Sequence, residues 1–518
     1  MSATAITAPP APTLAGTTKA VTAVALALGT FMQVLDTSIA NVSIPTIAGD
    51  LGVSSNQGTW VITSFAVANG VSVPLTGWLM QRFGVVRTFV ASVVLFTLAS
   101  LLCGFAWSLP SLIMFRVLQG AVSGPMIPGS QALLIDVFGP AKRPTALTIW
   151  SLTTLVAPIA GPLLGGYISD NYVWPWIFLI NVPVGAFCAY VCWTNLKSQE
   201  TPTRKLPIDR IGLALLVVWV GTLQVMLDQG KDLDWFSSPL IVTLLIVTVV
   251  SFAAWLIWNL TEEHPVVDLS LFKSRSFTLG TVALCLGYAV FFGNIVLMPL
   301  WLQTFLGYTA TWAGLVSAPS GVTAVLTSLM VGRLMRRYDP RMLAATSFGL
   351  YAVSYFMRAG LTADAGVFAF VAPQLVQGFA MGLFFVSMLA VIFDGLPPQK
   401  IPSASGLSNF LRITAGSFAT SLITTFWDRR EALHQTRLAD AVNVYAPAYQ
   451  EALTQMHRLG IGDQVAAGAL TRGLVGQSYL MSSIDLFYIS AWLCVGLLPL
   501  CFLVRRPAAT GAAPVAAD

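Results

Sequence analysis

Charge is scarce in this sequence. Only 9% of its 518 residues are Asp, Glu, Lys or Arg, 56% are apolar, and the mean hydropathy is +0.76. A soluble domain carries about 25% charged residues, so this balance excludes a water-soluble globular fold. Cysteine is equally uninformative as a framework: all six, at 103, 188, 192, 285, 494 and 501, lie inside apolar stretches, with no disulfide or metal spacing. The three histidines, His264, His434 and His457, sit in polar connections without Cys or carboxylates at ligand spacing, so no metal site is expected. No Gly-x-x-x-x-Gly-Lys-Ser/Thr loop occurs, which excludes a nucleotide engine of that kind in this chain, and no cofactor is expected. The first 18 residues contain no Lys or Arg, a poor signal-peptide start, and the apolar run that follows is too long for a signal core, so it is expected to remain as the first helix.

What the sequence does contain is a succession of apolar stretches of about 20 residues, the length needed to cross a bilayer as a helix. Fourteen are recognisable, among them 20–42, 59–80, 109–136, 145–168, 175–196, 342–360, 405–427 and 483–504. Lys19, Arg82, Arg87, Lys142, Arg143, Lys197, Arg204, Lys205, Arg210, Lys273, Arg275, Arg333, Arg336, Arg337, Arg341, Lys400, Arg505 and Arg506 fall on one side, whereas the short loops opposite hold little beyond Lys231 and Arg358. This positive-inside asymmetry places both termini in the cytoplasm, and the +5 net charge then reports topology rather than nucleic-acid binding. One outer connection, 428–482, is long, polar and helically spaced over Glu431–Val442 and Ala448–Leu459, so a small helical hairpin is expected there.

An internal repeat organises the chain. Gly77-Trp-Leu-Met-Gln-Arg82-Phe recurs as Gly332-Arg-Leu-Met-Arg-Arg337-Tyr, Gln119-Gly120 with Gly124 recurs as Gln377-Gly378 with Gly382, and Ala160-Gly161 recurs as Ala415-Gly416, at offsets of 255, 258 and 255. Two homologous six-helix bundles follow, and such repeats are a transporter architecture with a site at their interface. The expected division is an N-terminal tail 1–19, a first bundle 20–196, two inserted helices with their loops 197–276, a second bundle 277–504 containing the outer segment, and a tail 505–518.

Asp36, in Leu35-Asp-Thr-Ser-Ile-Ala-Asn41, is the sole carboxylate well inside an expected span. Inserting a charge there costs roughly 2.5–3.5 kcal/mol, so its presence asks for a reason. Either it packs or faces water near the outer end, or it is a protonatable coupling group biased by a cation. Arg116 lies in the fourth span and Arg412 in the thirteenth; neither guanidinium gives up its proton, so each biases a carboxylate or anion, or makes a structural hydrogen bond. Gln33, Thr37, Asn41 and Gln119 are the candidate lining of a substrate cavity. Ala157, Gly161 and Gly165 give the fifth span a small-residue face, while Pro158 and Pro162 leave the carbonyls of Thr154 and Pro158 without helical donors. At the inner ends, Arg82 and Arg87 either follow the positive-inside rule or pair with a carboxylate, and Asp136 is expected to pair with Arg82 or Arg87.

These residues resemble the major facilitator superfamily, specifically its fourteen-helix drug:proton antiporters of the EmrB/QacA type. Leu35–Pro45 is similar to the family's first-helix motif, Arg116 with Gln119-Gly120 to motif B, Ala157–Gly166 to the antiporter motif C, and Gly77–Arg87 to motif A. Gln57–Phe65, Asp234–Ser238, Val267–Arg275 and Gly307–Gly314 extend the likeness to the EmrB branch over nearly the whole chain. The resemblance implies an all-α membrane protein with the major facilitator fold, in the bacterial inner membrane. It also implies proton-driven efflux of hydrophobic drugs and uncouplers, with Asp36 and Arg116 as the coupling pair. A periplasmic adaptor (EmrA-like) and an outer-membrane channel (TolC-like) are the implied partners. Two departures stand out: Gln81 and Val85 replace the motif-A acid and a base, and Gln374 occupies the motif-B arginine position of the second bundle. Export of one endogenous metabolite or siderophore, and a membrane receptor or structural subunit without transport, are the competing readings.

Overall fold

The computed structural model describes residues 16–139, 142–295, 297–362, 365–441 and 445–504; the expected tail 505–518 with Arg505 and Arg506, most of the tail 1–19, and Val442 lie outside them. Among the described residues every regular element is helical. All fourteen expected stretches fall in helices. Nine described helices are long and apolar enough to cross a membrane, and a bent pair, Trp60–Ser72 with Thr76–Phe83, adds a tenth at an angle of 56°. Length and hydropathy of the described helices therefore do not establish the number fourteen. Val249, Val250, Ile257 and Leu260 of Pro239–Thr261 are exposed, as a lipid-facing surface requires.

The chain forms two compact units. The first contains residues 1–225, 243–274 and 395–410, and the second 226–242, 275–394 and 411–518. The expected insertion 197–276 is therefore shared: the Arg210–Gln229 and Pro239–Thr261 helices fall mostly in the first unit, and their outer ends in the second.

Proline interrupts several stretches that hydropathy presents as continuous. The 109–136 stretch is two helices, Leu109–Ser123 and Met126–Phe138, meeting at Gly124-Pro125, because Pro125 has no N–H to continue the ladder. Pro74 lies in the bend of the second span, and Pro183 follows the break between Trp176–Leu179 and Asn181–Leu196. Such breaks survive in a bilayer only where protein covers the freed backbone groups. The 428–482 segment is helical without being a separate hairpin: Ile401–Ala441 runs on past the membrane stretch, a short helix Pro447–Arg458 follows, and Asp463–Leu503 returns to the bilayer. Trp427 and Arg430 tie the two long helices together, the indole donating to Ser483 Oγ at 2.8 Å and the guanidinium pairing with Asp485 at 2.5 Å.

Close approach in each unit is made by the repeated glycines. A Cβ on Gly120 would lie 2.9 Å from Ala68 Cβ, and one on Gly124 would run into Ser72, so Leu109–Ser123 packs directly on Trp60–Ser72. In the second unit Gly378 and Gly382 meet Thr323 and Thr327 of Ala310–Leu334 in the same way. The small face of the Arg143–Asn171 helix is used likewise: Gly161 lies against Ser38 and Gly165 against Ile39 of the first helix, Gly16–Val42. The Pro158 carbonyl, deprived of its helical donor by Pro162, accepts the Ser38 hydroxyl at 3.3 Å. Pro162 lies within this helix, its side chain outside the described set. We predict that Gly161→Val, whose branched side chain has to displace Ser38, destabilises the protein by about 1–3 kcal/mol. Gly166→Ala, whose methyl meets nothing within 4 Å, should be neutral. Thermal unfolding of the two variants in detergent checks the contrast.

Candidate functional site

Asp36 lies in the C-terminal half of the first helix, 2% exposed, and its carboxylate accepts hydrogen bonds from three side chains. Arg116 Nη1 reaches Oδ2 at 2.6 Å, Gln119 Nε2 reaches Oδ1 at 3.2 Å, and Asn181 Nδ2 reaches Oδ1 at 2.8 Å. Arg116 and Gln119 stand one helical turn apart, so both side chains leave one face of Leu109–Ser123. Asn181 opens the helix that begins after the Ile180 break, and its amide also donates to Ser100 Oγ at 3.0 Å.

The guanidinium is held from all sides. Its Nε donates to the Val61 carbonyl at 3.0 Å, its Nη1 also donates to Gln119 Oε1 at 2.7 Å, and its plane lies 4.3 Å from the Phe65 ring and 5.5 Å from that of Phe178. Both partners of the ion pair have no exposed side-chain surface. Taking two charges out of solvent costs several kcal/mol each, and the cost is offset only by close pairing with additional hydrogen bonds, which this cluster supplies. Arg116 Nη2 alone has no partner, leaving one buried donor free.

The other expected site residues scatter. Gln33 is buried one turn before Asp36, the Thr37 hydroxyl is half-buried and donates to the Gln33 carbonyl at 3.2 Å, and Asn41 is exposed at the helix end. Gln119, expected in a cavity lining, meets both Asp36 and Arg116. Arg412 is buried, its guanidinium 4.6 Å from the Tyr288 ring. At the inner ends, Arg82 donates to the Leu206 carbonyl and Arg87 lies 4.0 Å from Glu200, whereas Asp136 is in none of the described ion pairs. Glu200 caps the helix that follows this loop. Its two oxygens accept the backbone N–H groups of Val86 and Arg87 at 3.0 and 2.8 Å, at the positive N-terminal end of Val85–Gly104. Gly84, at φ +94, permits the approach, because a Cβ there would land on the carboxylate. A cleft of about 290 Å³ lies nearby among Trp78, Gln81, Arg204, His264 and Ser403, without Asp36 in its walls.

Three residues escaped the sequence reading. Asn181 offered one signal, a lone amide just before a proline in an apolar stretch; Glu200 offered none beyond its charge. Arg358 was expected in an outer loop but is 1% exposed inside Pro340–Ala359, bonded to Gln374 and Gln377.

An all-helical repeat with an ion pair sealed inside its first bundle defines a polytopic membrane protein of the transporter type. Residues 26–420 match the Major Facilitator Superfamily, and the chain belongs to that family. It is 49% identical over 503 residues to the multidrug export protein EmrB of Escherichia coli K12, covering 96% of this chain and 98% of that protein. It is 44% identical to the fatty acid resistance protein FarB of Neisseria gonorrhoeae, covering 96% and 99% of the two chains. Among solved structures, the human organic anion transporter MFSD10 superposes with a TM-score of 0.55 at 12% identity, over 94% of this chain and 100% of that one, a likeness of fold alone.

The pair predicts a stability pattern. Arg116→Gln leaves a buried carboxylate without its cation and should cost about 3–5 kcal/mol. The double variant Asp36→Asn/Arg116→Gln removes both charges and should recover most of that loss. Thermal unfolding of the purified variants measures both.

Proposed function

We propose that this protein exports hydrophobic, drug-like molecules across the bacterial inner membrane in exchange for protons, with Asp36 as the proton-carrying carboxylate. The observation that carries the reading is the 2.6 Å ion pair between Asp36 and Arg116, fully enclosed in the first bundle. The relatives named for multidrug export and fatty acid resistance, similar along almost their entire lengths, support the substrate class.

Protonation of Asp36 removes the charge that neutralises Arg116 and weakens three hydrogen bonds at once, so the packing of three helices responds to one proton. Arg116 stays charged throughout and returns the carboxylate to its ionised partner state when the proton leaves. Asn181 and Gln119 hold the carboxylate in register for that return. One charge moved through the membrane potential is worth about 2.3 kcal/mol per 100 mV, which drives an alternating-access cycle uphill in drug. The inner-end residues Arg82, Arg87 and Glu200 brace the loop that such a cycle must move, and the small face around Pro158, Gly161 and Gly165 holds the first helix in place.

The long helical segment 428–482 is the surface we assign to a periplasmic adaptor of the EmrA-like kind, which in turn meets a TolC-like outer-membrane channel. Replacing it by a short Gly/Ser linker should abolish adaptor co-purification; retained co-purification and retained export would sink this assignment. For the coupling itself, purified Asp36→Asn in proteoliposomes is expected to insert normally and lose uphill drug transport driven by a pH difference alone. Asp36→Glu is expected to keep part of it. Uphill transport by Asp36→Asn under an imposed pH difference would remove Asp36 from the mechanism.

A further inference from the structure

The ion-pair cluster has a counterpart in the second bundle, with its charge rearranged. At one common offset of 258 residues, Asp36 corresponds to Asn294, Ser100 to Arg358, Arg116 to Gln374 and Gln119 to Gln377. All four second-bundle residues are 5% exposed or less. The arginine has moved from one helix to its neighbour, the glutamine that meets it is retained, and the acid has become an amide.

The geometry follows the correspondence. Arg358 Nη2 donates to Gln374 Oε1 at 2.8 Å and also to Gln377 Oε1, as Arg116 donates to Gln119. The guanidinium lies 5.5 Å from the Tyr355 ring and 5.7 Å from that of Phe487, as Arg116 lies against Phe65 and Phe178. Asn294 is joined to this group through Tyr355: its Nδ2 donates to the Val290 carbonyl at 2.7 Å, which also accepts the Tyr355 hydroxyl at 3.3 Å, and to Ser490 Oγ at 2.8 Å. What is missing is the carboxylate, since among the described residues Arg358 makes no ion pair. Amide oxygens and ring faces stabilise part of its charge, but one net positive charge stays enclosed, an arrangement that is costly without a counter-charge. One buried donor of this guanidinium, Arg358 Nε, has no hydrogen-bond partner.

We propose that Arg358 and Gln377 form a buried binding site for a monovalent anion, which supplies the charge that Asp36 provides in the first bundle. Chloride and the carboxylate of a hydrophobic acid share the required chemistry: one negative charge and oxygen or halide acceptors for guanidinium and amide N–H groups. The site stands apart from the proton reading of Asp36, and nothing in its test depends on that residue.

The test uses the full-length purified protein in detergent. Its thermal unfolding and tryptophan fluorescence are followed in chloride against gluconate at equal ionic strength, and in decanoate against decanol below their micellar limits. The site predicts stabilisation by chloride, by decanoate or by both. Chloride alone identifies an inorganic anion; decanoate without an effect of decanol identifies the headgroup of an acid. Arg358→Gln should weaken the response at least about tenfold in midpoint concentration, as expected for losing a charge-assisted partner. Asn294→Asp guards against a variant that merely misfolds: it restores the internal carboxylate, so it should fold at least as well as the wild type and lose the anion response. A wild-type protein indifferent to both anions overturns the proposal, and so does an Asn294→Asp protein with an undiminished response.

Discussion

A full ion pair with no solvent contact is the constraint around which the first bundle is arranged. Asp36 and Arg116 are held there by groups from five separate segments: the first helix, the Val61 carbonyl, Ser100 and Cys103 of Val85–Gly104, Gln119, and Asn181. Each of those groups has to be brought within hydrogen-bond reach, and the local irregularities do this. Gly120 lets the Arg116 helix settle on Phe65 and Ala68, which puts Nε beside Val61. The interruption before Pro183 starts a new helix at Asn181, whose amide then points at the carboxylate. Glycine and proline in these helices therefore serve the charge rather than flexibility in general.

The same constraint explains what could be read from the residues. In a chain solvated by lipid, an acid in the middle of an apolar run is conspicuous, because the medium makes every buried charge costly. Asp36 and Arg116 were legible on that ground, and the repeat was legible because glycine at a close helix crossing has no substitute. Asn181 was not, since membrane helices carry many amides and only geometry says which one meets a carboxylate. Glu200 was hidden for a different reason: it comes from a loop more than a hundred residues away from the helix end it caps, and loop acids have no periodicity. Arg358 lies near the end of an apolar stretch, where hydropathy does not separate a loop residue from a buried one. The helix breaks at Gly124-Pro125 and before Pro183 were missed because proline in a membrane helix is compatible with either a kink or a stop.

The two repeats have diverged in charge more than in packing. Both keep the glycine pair that joins neighbouring helices and both keep a glutamine against a guanidinium, yet the first closes its charge internally and the second leaves a cation open. On the two proposals made above, one copy of a duplicated scaffold responds to a proton and the other holds an anion. Which residues were free to change is set by the helix crossings, because substitutions at Ser100/Arg358 and Asp36/Asn294 alter charge without touching the glycine contacts.

The proposed cycle turns on one carboxylate, Asp36, gaining and losing a proton. Its most direct test is the proton released when purified protein in weakly buffered solution binds a hydrophobic drug, read from the pH change against drug added. At a pH low enough to protonate Asp36, drug binding should release protons from the wild type and none from Asp36→Asn that still binds the drug. Equal proton release from the two proteins would remove Asp36 from the cycle.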